Sequence, residues 1–257
     1  MDIHPDGAHD AGMENLNLWL ITGVFVAAGA VKGISGMGLP TLSIALLGLF
    51  MTPVNAAALM LLPSLLTNLA QCTGPHVRVL ANRLWPLWLG LVLATLGSPW
   101  AAMGHSGSSA RTALGAVLLG YGLWGLARPT LPHPGRWQRP LGALAGVLSG
   151  CLTAATGVFV MPLVPYLQSL KLEKAAFIQA LGLSFMVATL ALAARLGTAA
   201  WGGDTAVPLA GHAVALPAAF LGLWLGARLR QRLPALVFQR ALYVVFLALG
   251  VLMLLRS

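Results

Sequence analysis

Two interrupted apolar stretches of this sequence carry residues that could bind a small anion. Lys32 is the only charged residue that we place inside a predicted apolar layer. Glycine N–H groups and the side chains of serine, threonine, asparagine and glutamine can donate hydrogen bonds to an oxyanion, and a thiol can contact a sulfur compound. The candidate substrate-binding residues are Lys32, Ser35, Gly36, Gly38, Thr41, Asn68, Cys151, Thr153, Thr156, Gly157 and Gln179.

The interruptions themselves predict helix ends within the membrane. The first runs from Gly33 to Pro40 and the second from Gly150 to Gly157. Glycine releases the backbone from helical geometry, and proline fits the first turn of a new helix. The N–H groups that open a helix have no partner within it and carry partial positive charge. We therefore expect two helix starts, near 38–40 and 156–157, that face a shared anion site.

Each candidate residue also has a purely structural interpretation. Lys32 could extend its amine to the membrane surface, although a lysine buried in a membrane is by default a functional candidate. Small and polar residues commonly pack helices against each other without any ligand. A packing role is the simpler interpretation of Cys151. The sequence leaves these alternatives open.

The composition is that of a membrane protein. Of 257 residues, 58% are hydrophobic and 8% are charged, whereas soluble domains carry about 25% charged residues. Uncharged apolar stretches of ~18 residues or more predict transmembrane helices, and this composition excludes soluble enzymes and nucleic-acid-binding proteins. The charge-free stretches lie between residues 33 and 77, 84 and 110, 141 and 170, and 205 and 227.

The apolar residues form blocks that predict about ten helical pieces in an all-α polytopic membrane protein. The blocks are roughly 18–50, 54–72, 84–103, 109–127, 140–167, 174–196, 206–227 and 236–255. All but the first and fifth have the length of one membrane span. The first and fifth contain the interruptions, and each is expected to form a broken helix or a hairpin, at Gly36–Gly38 and Thr153–Gly157.

The loop charges favour a return of each interrupted block to its starting side. If each such block crossed the membrane once, lysine and arginine would be divided equally between the two sides. If each block returns, most of these residues fall on one side, which is typical of the cytoplasmic side. That side carries Arg78, Arg83, Arg128, Arg136, Arg139, Lys171, Lys174, Arg228, Arg230, Arg232 and Arg240, and the other carries Arg111, Arg195 and Arg256.

This topology predicts two inverted repeats of five pieces, a pattern typical of transporters. Both termini are then extracytoplasmic, and the chain lies in the cytoplasmic (inner) membrane of a cell. The expected regions are an acidic extracytoplasmic tail over 1–16, a first repeat over 17–127, a basic cytoplasmic linker over 128–139 and a second repeat over 140–257.

A weak internal repeat accompanies this topology. A shift of 119 positions places Gly38 on Gly157 and Lys32 opposite Cys151. A shift of 117 instead places the pair Gly29 and Gly33 on the pair Gly146 and Gly150. One small insertion between the two halves is therefore expected.

No catalytic residue, metal site or cofactor is expected. The histidines match no metal-site spacing, and no histidine or acid is placed at depth to activate a nucleophile. The expected partners are a small anionic substrate and the lipid bilayer, without nucleic acid, and a homodimer is one option. Rival functions are transport of a different anion, such as a carboxylate, and a scaffold or assembly role without transport.

Several motifs resemble those of the TauE/SafE sulfite-exporter family, over about residues 25–190. They are Gly29-x-x-Lys32-Gly33-x-x-Gly36-x-Gly38, Asn55-Ala56-Ala57-Ala58, Pro63-x-x-x-x-Asn68, Gly146-x-x-x-Gly150, Gly157-x-x-x-x-Pro162-x-x-x-Tyr166 and Lys174-Ala175-Ala176. The resemblance implies a secondary transporter that exports a small sulfur oxyanion or organosulfonate, such as sulfite or sulfoacetate. Leu39-Pro40 stands where the family commonly has further small residues.

Overall fold

The computed structural model describes the backbone of residues 6–98, 107–127, 130–197, 209–230, 232 and 235–256, and most side chains from Leu18 onward. All regular structure in these residues is helical, which confirms an all-α protein of ten helical pieces with two interruptions. A short 3₁₀ turn, Gly135–Trp137, precedes the sixth helix. The α-helices are α1 (Asp6–Ser35), α2 (Leu39–Leu47), α3 (Pro53–Cys72), α4 (Val77–Gly97), α5 (Gly107–Ala127), α6 (Gln138–Thr156), α7 (Leu163–Ser169), α8 (Lys174–Leu196), α9 (Leu209–Leu229) and α10 (Ala235–Leu255).

Six of these helices are long and apolar enough to cross a membrane, so the chain is a multi-pass membrane protein. They are α1 from Leu18 onward, α3, α4, α8, α9 and α10. Helices α5 and α6 have 21 and 19 residues, a comparable length. Each contains one arginine, Arg111 or Arg139, together with several glycine, serine and threonine residues, and these lower the mean hydropathy.

Helices α1 and α6 end in the same way. Ser35 and Thr156 each donate a hydrogen bond of 2.8 Å to the carbonyl four residues earlier. The same hydroxyl oxygens accept the N–H two residues later, at 3.3 and 3.2 Å. The next residues, Gly36 and Gly157, have φ of 81° and 75°, a left-handed conformation that side chains disfavour. Each break is therefore built by a hydroxyl residue followed by glycine.

This shared construction corrects the repeat register at the breaks. Ser35 and Gly36 correspond to Thr156 and Gly157, a shift of 121 positions rather than 119. The residue equivalent to Lys32 is then Thr153 instead of Cys151. The match of Gly38 with Gly157 is likewise wrong at the level of local structure.

The helix that follows each break starts at a different distance from it. Helix α2 starts at Leu39, with Pro40 in its first turn, as expected. Helix α7 starts only at Leu163, so the predicted helix start at 156–157 is wrong. The intervening residues 158–162 are not helical and include two β-branched valines and a phenylalanine, which favour extended backbone.

Glycines bring two helix pairs into close contact, α1 with α9 and α6 with α4. A Cβ atom added to any of four glycines would collide with the backbone of the partner helix. In both pairs the residue numbers increase together, so the paired helices are parallel. The contacts are Gly29 with Ala219, Gly33 with Leu223, Gly146 with Leu87 and Gly150 with Leu91. These equivalent glycine pairs agree with the shift of 117, so α6 has about one additional turn between its glycines and its break.

Side-chain contacts show that α2 and α7 return the chain to its starting side. Lys32 contacts Asn68, and the Gly36 carbonyl accepts a hydrogen bond of 2.9 Å from Gln71. The later residue of the first segment thus contacts the later residue of α3, so α1 is parallel to α3. The hairpin alternative for the first block is therefore the correct one.

The second half repeats this arrangement. The Trp88 indole donates to Ser184 at 3.0 Å, and Arg195 donates to the Thr95 carbonyl at 2.7 Å. Helices α4 and α8 are therefore parallel. Because α6 is parallel to α4, it is also parallel to α8, and α7 must bring the chain back between them.

Equivalent helices of the two halves run antiparallel where they meet. In α3 with α8 and in α5 with α10, larger residue numbers face smaller ones. The contacts are Ser64 with Thr189, Gln71 with Gly182, Gly115 with Gly250 and Gly122 with Tyr243. Two helices related by a two-fold axis can be antiparallel only when that axis lies across them. The halves are therefore inverted repeats.

Two predicted boundaries differ from the structure. Helix α4 starts at Val77 rather than near 84, so Arg78 and Arg83 lie in its first turns and not in a loop. Helix α1 starts at Asp6, so most of the predicted tail over 1–16 continues the first helix. Charged residues in the first turns of a helix are compatible with helical structure, which is why apolarity alone placed both starts too late.

Candidate functional site: a buried lysine where the two halves meet

Lys32 lies inside the protein and not at the membrane surface. Its side chain is 1% exposed, at the last turn of α1. The amine donates hydrogen bonds to Thr67 Oγ1, at 3.0 Å, and to Asn68 Oδ1. The alternative in which this side chain extends to the surface is therefore wrong.

A chain of hydrogen bonds leads from Lys32 into the second half of the protein. The Asn68 amide nitrogen donates to Ser64 Oγ at 3.3 Å, and Ser64 Oγ lies 3.1 Å from Thr189 Oγ1. The Thr189 hydroxyl donates to the Phe185 carbonyl at 2.7 Å. Because Thr189 uses its proton there, Ser64 is the donor between the two hydroxyls. In every hydrogen bond of this series, the donor is therefore on the side nearer to Lys32.

The Lys32 ammonium is bound by neutral oxygens. Glu173 is the only acidic residue whose side chain the structure describes, and it lies 3.2 Å from His76. Burying a charged group is costly unless it is paired. Two neutral acceptors compensate this cost only in part, so the surroundings of Lys32 favour a bound anion.

The break in the second half reaches the same helix pair through an aromatic contact. The Phe159 ring follows Gly157 and packs on Phe185, with 5.2 Å between ring centroids. Phe185 also accepts the last hydrogen bond of the Lys32 chain. Lys32, one turn before the first break, thus contributes a buried charge beside α3, and the second break contributes the Phe159 ring beside α8.

The remaining candidates of the first half build the first break. The Ser35 hydroxyl closes the end of α1, and Gly36 binds Gln71 through its carbonyl. Gly38, with φ of 104°, caps α2 and lies against Val31. Thr41 is buried in α2.

The candidates of the second half make mainly local contacts. The Thr153 hydroxyl donates to the carbonyl of Ser149 at 2.7 Å, within α6. Thr156 and Gly157 form the second break, and Cys151 is half-buried. Gln179 binds the turn between α3 and α4, where it accepts from the His76 N–H and donates to the Cys72 carbonyl. Of the sequence candidates, the hydrogen bonds join Lys32 and Asn68 directly and leave Gln179 at the turn.

Three polar partners of the site, Ser64, Thr67 and Thr189, were not among the predicted site residues. A signal for the first two was present, since Ser64, Thr67 and Asn68 are spaced by three and four positions and so share one helix face. Thr189 offers no such signal. Its place beside Ser64 depends on the antiparallel packing of α3 and α8, which no local pattern contains.

A comparison with protein-family models identifies the chain. The model of the family described as sulfite exporter TauE/SafE matches residues 21–253. This protein belongs to the TauE/SafE family. The matched residues include both breaks and all the residues of the hydrogen-bond series that starts at Lys32. Members of the TauE/SafE family are membrane transporters, which agrees with the multi-pass fold. Comparisons with curated proteins and with solved structures give no significant match.

Proposed function

We propose that this TauE/SafE protein exports a small sulfur oxyanion or organosulfonate, such as sulfite or sulfoacetate, from the cytoplasm. The observation that carries the proposal is the buried Lys32 ammonium, which has neutral oxygen partners. A sulfite or sulfonate group has several anionic oxygens that can accept from an ammonium donor. The two breaks and the polar residues beside them complete the proposed binding site.

Charge compensation explains why an anion would bind at this depth. An unpaired ammonium in a low-dielectric interior is costly, and an arriving anion removes that cost. Lysine also acts as a compact charge that does not demand one fixed ligand shape. This suits a carrier, which has to release its substrate as well as bind it.

The proposed direction follows from charge and membrane potential. With α1 parallel to α3, the basic residues of the loops and helix ends collect on one side, which we assign to the cytoplasm. Both termini are then extracytoplasmic, and the protein lies in the inner membrane. An inside-negative potential favours exit of a monovalent anion by about 2.3 kcal/mol per 100 mV.

Reconstituted vesicles test the substrate and the driving force. Vesicles are loaded with sulfite, sulfoacetate, acetate, sulfate or chloride, and efflux is measured with and without an imposed inside-negative potential. We expect sulfite or sulfoacetate to leave fastest, and faster still under the potential. Efflux of every anion at the rate of protein-free vesicles would contradict a transport function. Selective efflux of acetate would instead indicate a carboxylate carrier.

A further inference from the structure

A second basic site, made of residues outside the hydrogen bonds of Lys32, lies between the first turns of α4 and the start of α6. A cavity of about 400 Å³ opens there, lined in part by Arg83, Arg136 and Arg139 and by the amide side chains of Asn82 and Gln138. We call it the arginine cleft. None of the residues that line it is acidic. The cleft therefore offers positive charge and amide donors without a protein counterion among its lining residues.

The hydrogen bonds at one side of the arginine cleft leave two donors facing each other. The His133 Nδ1 atom lies 3.0 Å from the Gly135 nitrogen, and its Nε2 atom lies 3.3 Å from the Arg83 guanidinium. A neutral imidazole has only one acceptor nitrogen, so at one of these two contacts a ring N–H faces a second donor. An anionic oxygen beside both groups would accept from each of them.

The surface next to the arginine cleft is apolar. Val79, Trp137 and Leu144 are each more than half exposed. The Arg136 guanidinium lies 5.9 Å from the centre of the Trp137 ring. Tryptophan is typical of the boundary between lipid headgroups and acyl chains. The cleft thus combines an anion-binding end with a surface suited to hydrocarbon, and a ligand that fits both is an amphiphile.

We infer that the arginine cleft binds the headgroup phosphate of an anionic phospholipid, with the acyl chains along the exposed face of α6. Guanidinium groups match phosphate oxygens in geometry and charge. Basic pockets between membrane helices at the cytoplasmic side are suited to acidic headgroups. A lipid held there would join α4 to α6, the helix that ends in the second break. The inference is independent of the transported substrate.

Lipid-dependent thermal stability tests this site. Purified full-length protein in a neutral detergent is titrated with phosphatidylglycerol, phosphatidylcholine, inorganic phosphate or sulfite. The variants are Arg83→Gln, Arg139→Gln and their combination. Arg78→Gln is the matched control, because Arg78 is an exposed arginine in the first turn of α4 that does not line the cleft.

We expect phosphatidylglycerol to raise the melting temperature more than phosphatidylcholine. Each cleft substitution should raise the lipid concentration at half-effect by about fivefold or more, because each removes a charge-assisted hydrogen bond to the headgroup phosphate that Arg78 does not make. Arg78→Gln should change it by less than twofold. Equal stabilisation by the two lipids, or an equal loss in Arg78→Gln, would overturn the inference. The full effect with inorganic phosphate or sulfite alone would also overturn it, in favour of a soluble anion.

Discussion

The side chain of Lys32 shows how a single residue can connect sequence, burial and function. A lysine within an apolar stretch was predictable as a candidate, but its burial was not, because a lysine near the end of a membrane helix can also reach the surface. Thr67 and Asn68, the partners that hold the Lys32 amine inside the protein, lie on another helix. Their positions depend on α1 and α3 being parallel, which is a property of the fold.

A carboxylate placed at Asn68 should compete with the substrate. Asn68→Asp replaces the amide with an acid of nearly the same shape beside the Lys32 amine. The ammonium then has a permanent counterion, so a bound anion brings less compensation. We expect the affinity for sulfite, measured by thermal shift, to fall at least tenfold, equivalent to about 1.4 kcal/mol, while the protein remains folded.

Ser64→Ala provides the comparison for that substitution. It removes the acceptor of the Asn68 amide nitrogen but changes no charge. Loss of a buried hydrogen-bond partner should lower stability by about 1–3 kcal/mol and change sulfite affinity by less than threefold. Sulfite affinity in Asn68→Asp equal to that of the unmodified protein would contradict the role of charge compensation.

At the scale of elements, the two breaks show what a local pattern predicts and what it does not. The end of α1 and the start of α2 follow from Ser35, Gly36 and Pro40, whose preferences act within a few residues. The same reasoning failed for α7, because valine, phenylalanine and a later proline delay the helix after Gly157. Packing of Phe159 on Phe185 accompanies that extended segment, and no local pattern reveals it.

Alanine at Gly36 tests whether the left-handed residue is required at the first break. A Cβ atom there would meet only Gln71, at 3.9 Å, so the cost of Gly36→Ala comes from the φ of 81°. We expect a loss of about 1–2 kcal/mol in the free energy of unfolding, measured as a lower melting temperature. Gly120→Ala is the control, because a Cβ atom at Gly120, within α5, would meet nothing within 4 Å. It should be neutral or stabilising by up to about 1 kcal/mol, and an equal loss in both variants would contradict this explanation.

At the scale of the whole molecule, the inverted repeat explains why the site lies where the halves meet. Helices α3 and α8 are equivalent and antiparallel, and the Lys32 chain crosses between them at Ser64 and Thr189. The charge distribution of the loops predicted this inversion, because the inversion determines only on which side of the membrane each loop lies. Which residues face each other across α3 and α8 was not predictable, since both helices are apolar on most sides.

A disulfide between α3 and α8 should test whether the halves move relative to each other. Ser64→Cys combined with Thr189→Cys places two thiols where the hydroxyl oxygens are 3.1 Å apart, in a background with Cys72 and Cys151 replaced by serine. We expect oxidation to cross-link the pair and to reduce substrate efflux at least tenfold, with recovery on reduction. Each single cysteine variant is the control for loss of the hydrogen bond. Full efflux from the cross-linked protein would show that the two halves need not separate there.

The most direct test of the central claim is sulfite binding to purified protein with and without the Lys32 charge. Lys32→Met keeps the approximate length of the side chain and removes its charge, and Lys174→Met removes an exposed lysine as the control. Binding is measured by titration calorimetry with sulfite, together with circular dichroism to verify folding. We predict that Lys32→Met loses at least 100-fold in affinity, about 2.7 kcal/mol, while Lys174→Met binds as the unmodified protein does. Unchanged sulfite affinity in folded Lys32→Met would contradict the account.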